Sequence, residues 1–358
     1  MKVIEKIRER LGGAEALLLI SPVNRRYVSG FASSDGMALI TQNSAHLIVD
    51  SRYILAARES VQLNENGLTV HLTGAINGTF TEIVKRLLHV EQITRVGFEE
   101  DYISFAQHKN LLGKLECELI PCGYILTELR SVKSEEELRR LRAAQALTDE
   151  VFTEMLSVIC PGVTEKRIAA EITYRFLLKG AQNVSFDPIV ASGTNSAKPH
   201  AVPSDKEIQR GDFVTLDFGC ILDGYCSDMT RTVAVGAVTE EQKLIYQTVL
   251  RAQSAGVAAA RAGVTGKSVH EAAAAVIADA GYGEFFGHGF GHGLGLEIHE
   301  RPNAAPSWDK PLPEGAVISA EPGIYLPDKF GVRIEDVIIV RSGNAEDITN
   351  SAKDLIVL

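Results

Sequence analysis

The apolar positions of the first third of the chain fall into short continuous runs and longer amphipathic stretches. The runs ALLLI, HLIVD and RVGFE are typical of buried strands, whereas TFTEIVKRLLHVEQ repeats its apolar residues with a helical period. The N-terminal MKVIEKIRERLGG carries a charge every two or three residues and has no apolar segment like that of a signal peptide, so it predicts an amphipathic helix. These patterns predict a compact α/β unit over residues 1–128.

A long amphipathic period then begins within LRSVKSEEELRRLRAAQALTDEVFTEMLSVI. Ser134 and Glu137 form an S-x-x-E capping box at its start, which predicts the N-terminus of a helix. Pro161 and Gly162 are predicted to end that helix. A second domain over residues 129–358 is therefore expected.

The order of elements in this second domain occurs twice. Thr164 is positioned to cap a helix that stops at Gly180, and a later G-V-T sequence precedes another helix that stops at Gly281. Each of these helices follows a longer one, and Thr239 with Gln242 gives the second long helix its own capping box. Because β-rich sequence follows both helix pairs, the simplest prediction is a pseudo-two-fold α/β domain.

The stretch GHGFGHGLGLEIH, residues 287–299, combines histidines with many glycines. Glycine costs about 1 kcal/mol per residue in a helix interior, so a helical metal motif is excluded here. Glycine also lets another backbone or a ligand approach closely. His288, His292 and His299 are therefore expected to project from strand or loop into a crowded site.

Two acidic residues, Asp217 and Asp228, are candidate partners of these histidines in one site. If Asp217 and Asp228 face each other on an antiparallel hairpin, the turn is centred between Leu222 and Asp223, where LDGY has a turn-like composition. Carboxylates opposed at about 5 Å repel each other unless one is protonated or a cation lies between them. An isolated aspartate on a strand is more often solvated, so this hairpin alone does not decide for a metal site.

A second hairpin with the same features follows in EPGIYLPDKFGVRIED. Glu321 and Glu335 have the same parity about a turn centred on Asp328, so both can point to one face. Four carboxylates and one imidazole are enough ligands for two divalent ions roughly 3.5 to 4 Å apart. Oxygen-rich ligation with a single nitrogen favours Mn²⁺ or a similar ion over structural Zn²⁺.

Composition narrows the function classes. The 358 residues are 45% hydrophobic and carry a net charge of -10, which does not favour nucleic acid or an anionic membrane as partner. The apolar runs are too short to span a bilayer. The five cysteines show no C-x-x-C spacing, which is typical of reduced thiols and predicts a cytoplasmic protein.

The chain resembles the M24 "pita-bread" metallopeptidases, in the branch of Xaa-Pro dipeptidase (prolidase) and Xaa-Pro aminopeptidase. The motifs that carry the resemblance are LDFGCILDGYCSDMTRT, GHGFGHGLGLEIHE, ISAEPGIY and GVRIED, in the order of the family. SPVNRRYVSGF and VDSRY are weaker indications of the creatinase-type N-terminal domain. The resemblance implies an α/β creatinase-like domain followed by an α+β pita-bread catalytic domain.

The resemblance also implies a site. Its metal ligands would be Asp217, Asp228, His292, Glu321 and Glu335. Asp228 and Glu335 would bridge two divalent ions, most simply Mn²⁺ with Co²⁺ or Zn²⁺ as alternatives. The ions would generate a bridging hydroxide that attacks the peptide bond, with Glu321 as general base.

Other residues match family positions around the metals. His299 would stabilise the oxyanion, while His200 and His288 would hold substrate and close the pocket. Tyr325 and Arg333 would orient the bridging carboxylates or the substrate, although an arginine beside Glu335 is equally compatible with a plain ion pair.

The implied substrate is a small peptide with proline at its second position, and the implied assembly is a homodimer. Arg301 is the only arginine between His299 and Glu321, where family dipeptidases often carry an extra stretch with a carboxylate-binding arginine, so longer peptides are an alternative. Methionine aminopeptidase would leave the N-terminal domain unexplained, and creatinase lacks the acidic ligands. A catalytically silent pita-bread binding module is the alternative from a different class.

Overall fold

The computed structural model describes residues 2–358, with the side chains of residues 61, 62 and 64 excepted. The chain divides into two compact units, Met1–Leu129 and Arg130–Leu358. Within the described residues, every helix is too short or too polar to cross a membrane.

The first unit is a mixed sheet with helices. Its strands are β1 (Ala16–Leu19), β2 (Met37–Thr41), β3 (Ala45–Val49), β4 (Thr69–Leu72), β5 (Arg95–Phe98) and β6 (Glu118–Pro121). The helices are α1 (Val3–Arg8), α2 (Pro22–Ser29), α3 (Ile54–Glu59), α4 (Val61–Asn66), α5 (Phe80–Val90), α6 (Phe105–Leu115) and α7 (Gly123–Ser131).

The sheet of this unit has the order β4-β3-β2-β1-β5-β6. The three apolar runs predicted as strands form β1, β3 and β5, and the predicted amphipathic helices form α1 and α5, so these strand and helix predictions are confirmed. Every residue of β1 and β3 is buried, because both faces of the sheet are covered.

The second unit contains two helix pairs, one at the start of each of its two halves. They are α8 (Glu135–Met155) with α9 (Glu165–Leu178), and α10 (Glu240–Ala259) with α11 (Gly266–Asp279). Two 3₁₀ turns are formed by Gly193–Ala197 and Gly283–Phe285.

The strands of the second unit are short. The first half contains β7 (Asn183–Val184), β8 (Ile189–Ser192), β9 (Phe213–Phe218), β10 (Cys220–Leu222), β11 (Tyr225–Cys226) and β12 (Met229–Ala234). The second half contains β13 (Gly291–Gly293), β14 (Glu300–Ala304), β15 (Val317–Ala320), β16 (Gly323–Leu326), β17 (Phe330–Arg333), β18 (Asp336–Ile339) and β19 (Glu346–Asp347). The main sheets have the orders β12-β9-β8 and β14-β13-β15-β18-β19.

Helix α8 starts where the capping box predicts but ends early. Ser134 is the N-cap, and its hydroxyl accepts the N–H of Glu137. The helix ends at Met155 and the chain turns through residues 156–158, so the predicted end at Pro161 is wrong. Pro161 would clash with the carbonyl of Ser157 and restricts Cys160, so the helix cannot continue up to the proline.

The predicted internal repeat is present in the backbone. Gly162 and Gly263 have left-handed φ angles of 89° and 87°. The N–H of Gly162 donates to the carbonyl of Ile208 at 3.0 Å, and that of Gly263 to the carbonyl of Leu312 at 2.9 Å. In turn, the N–H of Ile208 donates to the carbonyl of Val163, and that of Leu312 donates to the carbonyl of Val264. Both halves therefore form the same pair of backbone hydrogen bonds after their long helix.

A buried ion pair connects β12 of the first half with β18 of the second half. Arg231 and Asp336 are 1% and 0% exposed, and Nη2 lies 2.7 Å from Oδ1. Gln253 and Lys353 donate to the other oxygen of Asp336 at 2.6 and 2.5 Å, and Arg231 also donates to the carbonyl of Glu335. This network holds the backbone of Glu335 in place.

We therefore expect Asp336→Ala to lower the free energy of unfolding by about 3 to 5 kcal/mol, because it leaves a buried guanidinium without its charge partner. The measurement is urea denaturation with chelator present. Asp205, which pairs with Lys166 on the exposed surface at 2.7 Å, provides the control. Asp205→Ala should change the free energy by only about 0 to 1 kcal/mol, and equal losses in the two variants would contradict the role given to the buried network.

Candidate metal centre

The turn of the first carboxylate hairpin is centred one residue later than predicted, which shifts the pairing register by two positions. In the β9–β12 ladder Asp217 lies opposite Thr230, so the prediction that it lies opposite Asp228 is wrong. The turn is formed by Asp223 and Gly224, with φ angles of 49° and 84°. A two-residue turn with both central residues left-handed is the preferred hairpin connection, and Asp-Gly favours it. Asp228 precedes Thr230 by two positions, which makes the two carboxylates diagonal neighbours on the same face.

The register of the second hairpin is confirmed. β16 pairs with β17 and β15 pairs with β18 in one continuous antiparallel register centred on Asp328, which has a φ of 61°. That register places Glu321 opposite Glu335, between the two ladders. Glu321 and Glu335 therefore lie at the junction between the β15–β18 ladder and the β16–β17 ladder.

The glycine-rich stretch supplies His292 from β13, as the prediction of strand or loop required. A Cβ at Gly291 would lie 1.9 Å from the carbonyl oxygen of Ser319, and a Cβ at Gly293 would lie 2.7 Å from the backbone of β14. Only residues without a side chain fit on either side of the histidine. The bare backbone thus allows β13 to bring His292 between β14 and β15.

These elements converge on one cluster. Asp228, His292 and Glu335 each offer one ligand atom, and the three atoms lie within 4.8 Å of one another. The Nε2 atom of His292 is 3.5 Å from Asp228 Oδ2 and 3.3 Å from Glu321 Oε1. The hydroxyl of Ser319 donates to Glu321 Oε1 at 2.9 Å and accepts the backbone N–H of His292 at 3.0 Å.

Three carboxylates of the site each leave one buried oxygen without a hydrogen bond from the described residues: Asp217 Oδ1, Asp228 Oδ1 and Glu335 Oε1. The other oxygen of Asp217 accepts Arg333 Nη2 at 2.6 Å, and that of Glu335 accepts the hydroxyl of Thr230 at 2.7 Å. A buried unpaired carboxylate oxygen is unfavourable, and a divalent cation compensates it. The donor set therefore fits a hard or borderline metal ion.

Arg333 connects the parts of this site. Besides Asp217, its guanidinium donates to the hydroxyls of Thr230 and Tyr325 at 3.0 and 2.9 Å and to the carbonyl of Pro199 at 3.3 Å. The ion pair of Arg333 is thus with Asp217. Since Thr230 accepts from Arg333 and donates to the second hairpin, one buried cation orients carboxylates of both hairpins.

The remaining histidines of the prediction lie around the cluster. The ring of His299 is 4.4 Å from that of His292, centroid to centroid, and His288 Nε2 is 3.0 Å from the hydroxyl of Tyr325. Burial is the main reason that the pKa of His288 and that of His299 are lowered, and nearby His200 lowers both further. The structure thus brings all of the predicted imidazoles to one region.

The sequence prediction missed Thr230 and Ser319, whose hydroxyls donate to the predicted ligands Glu335 and Glu321. Thr230 lies directly across the ladder from Asp217. The Asp-Gly turn signal would have identified it, because a turn centred on Asp223 and Gly224 pairs these two positions. Ser319 has no comparable local signal, since its role depends on packing against β13.

Burial dominates the pKa values of the site. It raises the pKa of Asp217 to about 7 despite the Arg333 charge, and it raises the pKa of Asp228 and of Glu335. Burial lowers the pKa of His292, but the hydrogen bond with Asp228 and the neighbouring negative charges outweigh it and raise the pKa to about 9. Without a cation, the cluster therefore retains protons near neutral pH.

The model of metallopeptidase family M24 matches residues 139–342, and that of the Creatinase/Prolidase N-terminal domain matches residues 2–132. The chain belongs to metallopeptidase family M24. It is thus a metallopeptidase, a hydrolase, and its fold class is confirmed as a creatinase-type domain followed by a pita-bread catalytic domain.

Solved M24 structures resemble the whole chain. The Xaa-Pro dipeptidase from Bacillus anthracis is 40% identical, with a TM-score of 0.94 and 99% of both chains covered. The X-Pro aminopeptidase from Thermotoga maritima is 36% identical, with a TM-score of 0.92, 98% of this chain and 99% of that chain covered. The Xaa-Pro dipeptidase of Pyrococcus horikoshii is 36% identical over 96% of this chain and 94% of its own length.

We expect the stability of this M24 chain, when metal-free, to fall as pH rises from about 4 to about 7 through the contribution of Asp217. A carboxyl group with a higher pKa in the folded than in the unfolded chain binds more protons when folded, so raising the pH favours unfolding.

Calorimetry with chelator gives the melting temperatures of wild type and Asp217→Asn at pH values of about 5 and about 8. The change with pH in the difference between the two melting temperatures isolates the contribution of Asp217. The wild-type melting temperature should fall by several degrees relative to the variant. An unchanged difference between the two proteins would contradict the raised pKa.

Proposed function

We propose that this chain hydrolyses the bond before proline when proline is the second residue of a dipeptide or short peptide. The observation that carries the proposal is the set of three buried carboxylates with unpaired oxygens, two of which lie in one cluster with His292. The structural neighbours named Xaa-Pro dipeptidase and X-Pro aminopeptidase support the choice of bond. The catalytic domain is taken as residues 129–358.

Five residues would hold two divalent ions: Asp217, Asp228, His292, Glu321 and Glu335. Asp228 and Glu335 would be the ligands shared by the two ions, because both belong to the cluster with His292. Oxygen-rich ligation favours Mn²⁺, with Co²⁺ or Zn²⁺ as alternatives. When bound, the ions would lower the pKa of a water molecule and polarise the scissile carbonyl.

Glu321 is the proposed general base. Its Oε1 atom accepts the hydroxyl of Ser319, so we assign Oε2 to receive the proton of the attacking water and to pass it to the leaving proline nitrogen. The Ser319 bond fixes the carboxylate without removing its negative charge. The side chain is also less buried than those of the bridging pair, so it can face substrate.

The histidines around the cluster are proposed to act on the substrate. Burial lowers the pKa of His299, so its imidazole is neutral near pH 7 and donates one N–H to the developing oxyanion. His200 and His288 would hold the peptide. Tyr325 and Arg333 would keep His288 and the ligand Asp217 in position through the hydrogen bonds described above.

The length of the peptide is a separate part of the proposal. Arg301, the only arginine in the sequence between His299 and Glu321, is exposed and lies over the ring of Trp308 at 5.8 Å. This placement favours packing on the surface over binding of a dipeptide carboxylate. Short peptides longer than two residues are therefore included among the substrates, and a homodimer in the cytoplasm is the expected form.

We expect His292→Ala to lose bound metal and activity together, because the imidazole is the only nitrogen ligand proposed. His299→Ala should retain the metal and lose mainly turnover, by roughly a hundredfold, as for the loss of one oxyanion donor. Metal analysis of the purified variants and steady-state kinetics measure the two effects. Full turnover in His299→Ala would show that the oxyanion role is wrong.

The experiment that tests the function strips the protein with chelator, restores Mn²⁺, and compares an Xaa-Pro dipeptide, an Xaa-Pro-Yaa tripeptide and an Ala-Ala control. Metal-dependent cleavage before proline alone is the expected result. The ratio of dipeptide to tripeptide rates distinguishes dipeptidase from aminopeptidase. Bound metal without cleavage of any of them would contradict the proposal and favour a silent binding module.

A further inference from the structure

Glu165, the first residue of α9, carries a carboxylate that is fully buried. Its Oε1 atom accepts the N–H and the hydroxyl of Ser192 at 2.7 and 2.8 Å, and its Oε2 atom accepts the N–H and the hydroxyl of Ser204 at 3.0 and 2.6 Å. The amide of Asn195 lies 3.2 Å from both oxygens. One carboxylate thus binds a set of uncharged donors from outside its own helix.

The charge of this carboxylate is stabilised despite its burial. Burial raises the pKa of Glu165, but the hydrogen bonds from Ser204, Ser192 and Asn195 together outweigh it and leave the pKa below its usual value. The first turn of a helix also favours a negative charge. Glu165 is therefore an ionised acceptor at neutral pH.

The donors flank the residues that carry His200. Ser192 is the last residue of β8, and Ser204 follows His200 by four positions. We define residues 192–204 as the His200 segment. Both of its ends are bound to the same buried carboxylate, so Glu165 closes the segment into a loop of fixed span.

The middle of the His200 segment is docked on β17. The hydroxyl of Ser196 accepts the N–H of Gly331 at 2.9 Å, and a Cβ at Gly331 would lie 2.1 Å from the carbonyl oxygen of Ser196. Pro199, next to His200, accepts from Arg333, the cation that also binds the ligand Asp217. A shift of the segment would therefore move His200 relative to the metal ligands.

We propose that Glu165 is a positioning residue for His200. By binding both ends of the His200 segment, it fixes the position of the imidazole relative to the predicted metal ligands. The inference rests on the proposed function of this site. The simpler role, in which Glu165 only stabilises the start of α9, predicts a loss of stability with no specific effect on turnover.

The test is a double-mutant cycle of Glu165→Gln and His200→Ala in the Mn²⁺-loaded full chain. Glutamine is nearly isosteric, but its NH₂ group faces donors that need an acceptor. We expect Glu165→Gln to retain Mn²⁺ and to lower kcat/KM for an Xaa-Pro dipeptide by roughly tenfold to a hundredfold, as for a displaced substrate-binding group. In the His200→Ala background the same change should have little further effect, because the residue acts through His200.

Glu171→Gln is the matched control, since Glu171 lies on the same helix but pairs with the exposed Arg167 at 2.5 Å. It should leave kcat/KM unchanged. If Glu165→Gln does not fold, Ser204→Ala removes one hydroxyl donor only and should show the same pattern with a smaller loss. Wild-type kcat/KM in Glu165→Gln, or equal fold losses with and without His200, would overturn the inference.

Hydrogen–deuterium exchange provides a readout that does not depend on activity. Glu165→Gln should increase uptake in a peptide covering the His200 segment, while peptides from residues 2–129 stay unchanged. Unchanged uptake in the segment would overturn the inference even if the enzyme is active. If wild type cleaves no Xaa-Pro peptide, the proposed function fails, and exchange alone decides whether Glu165 holds the segment.

Discussion

Three carboxylates buried against one another repel unless protons or cations lie between them, and this repulsion is the constraint on which the catalytic domain depends. The fold does not remove the repulsion by distancing Asp217, Asp228 and Glu335. Instead it binds one oxygen of Asp217 through Arg333 and one of Glu335 through Thr230, and it leaves the other oxygen of each without a hydrogen bond from the described residues. A site built in this way is unfavourable when empty and favourable when cations bind.

The internal repeat provides the geometry for this arrangement. Each half gives one antiparallel hairpin, and the hairpins end in turns at Asp223–Gly224 and at Asp328. Because side chains alternate along a strand, each turn fixes which residues face the metal side. The buried ion pair of Arg231 and Asp336 connects the two halves. It helps to keep the carboxylates of the first hairpin in position relative to those of the second hairpin.

The sequence predicted the order of elements, the repeat and the second hairpin because these depend on local signals: capping boxes, left-handed glycines and parity about a turn. It placed the turn of the first hairpin one residue too early and the register two positions off, since the midpoint was chosen to oppose two aspartates and not from the preference of Asp-Gly for a two-residue turn. Contacts between distant segments, such as Thr230 with Glu335 or Glu165 with Ser204, have no local signal. These contacts follow only from packing.

The central claim is that two related hairpins and one histidine together hold a pair of cations. The most direct measurement is the number of Mn²⁺ ions bound per chain after chelator-stripped protein is titrated, together with the electron paramagnetic resonance spectrum of the loaded protein. Two ions per chain with the spectrum of a magnetically coupled pair is the predicted result. A single uncoupled ion, or none, would contradict the claim.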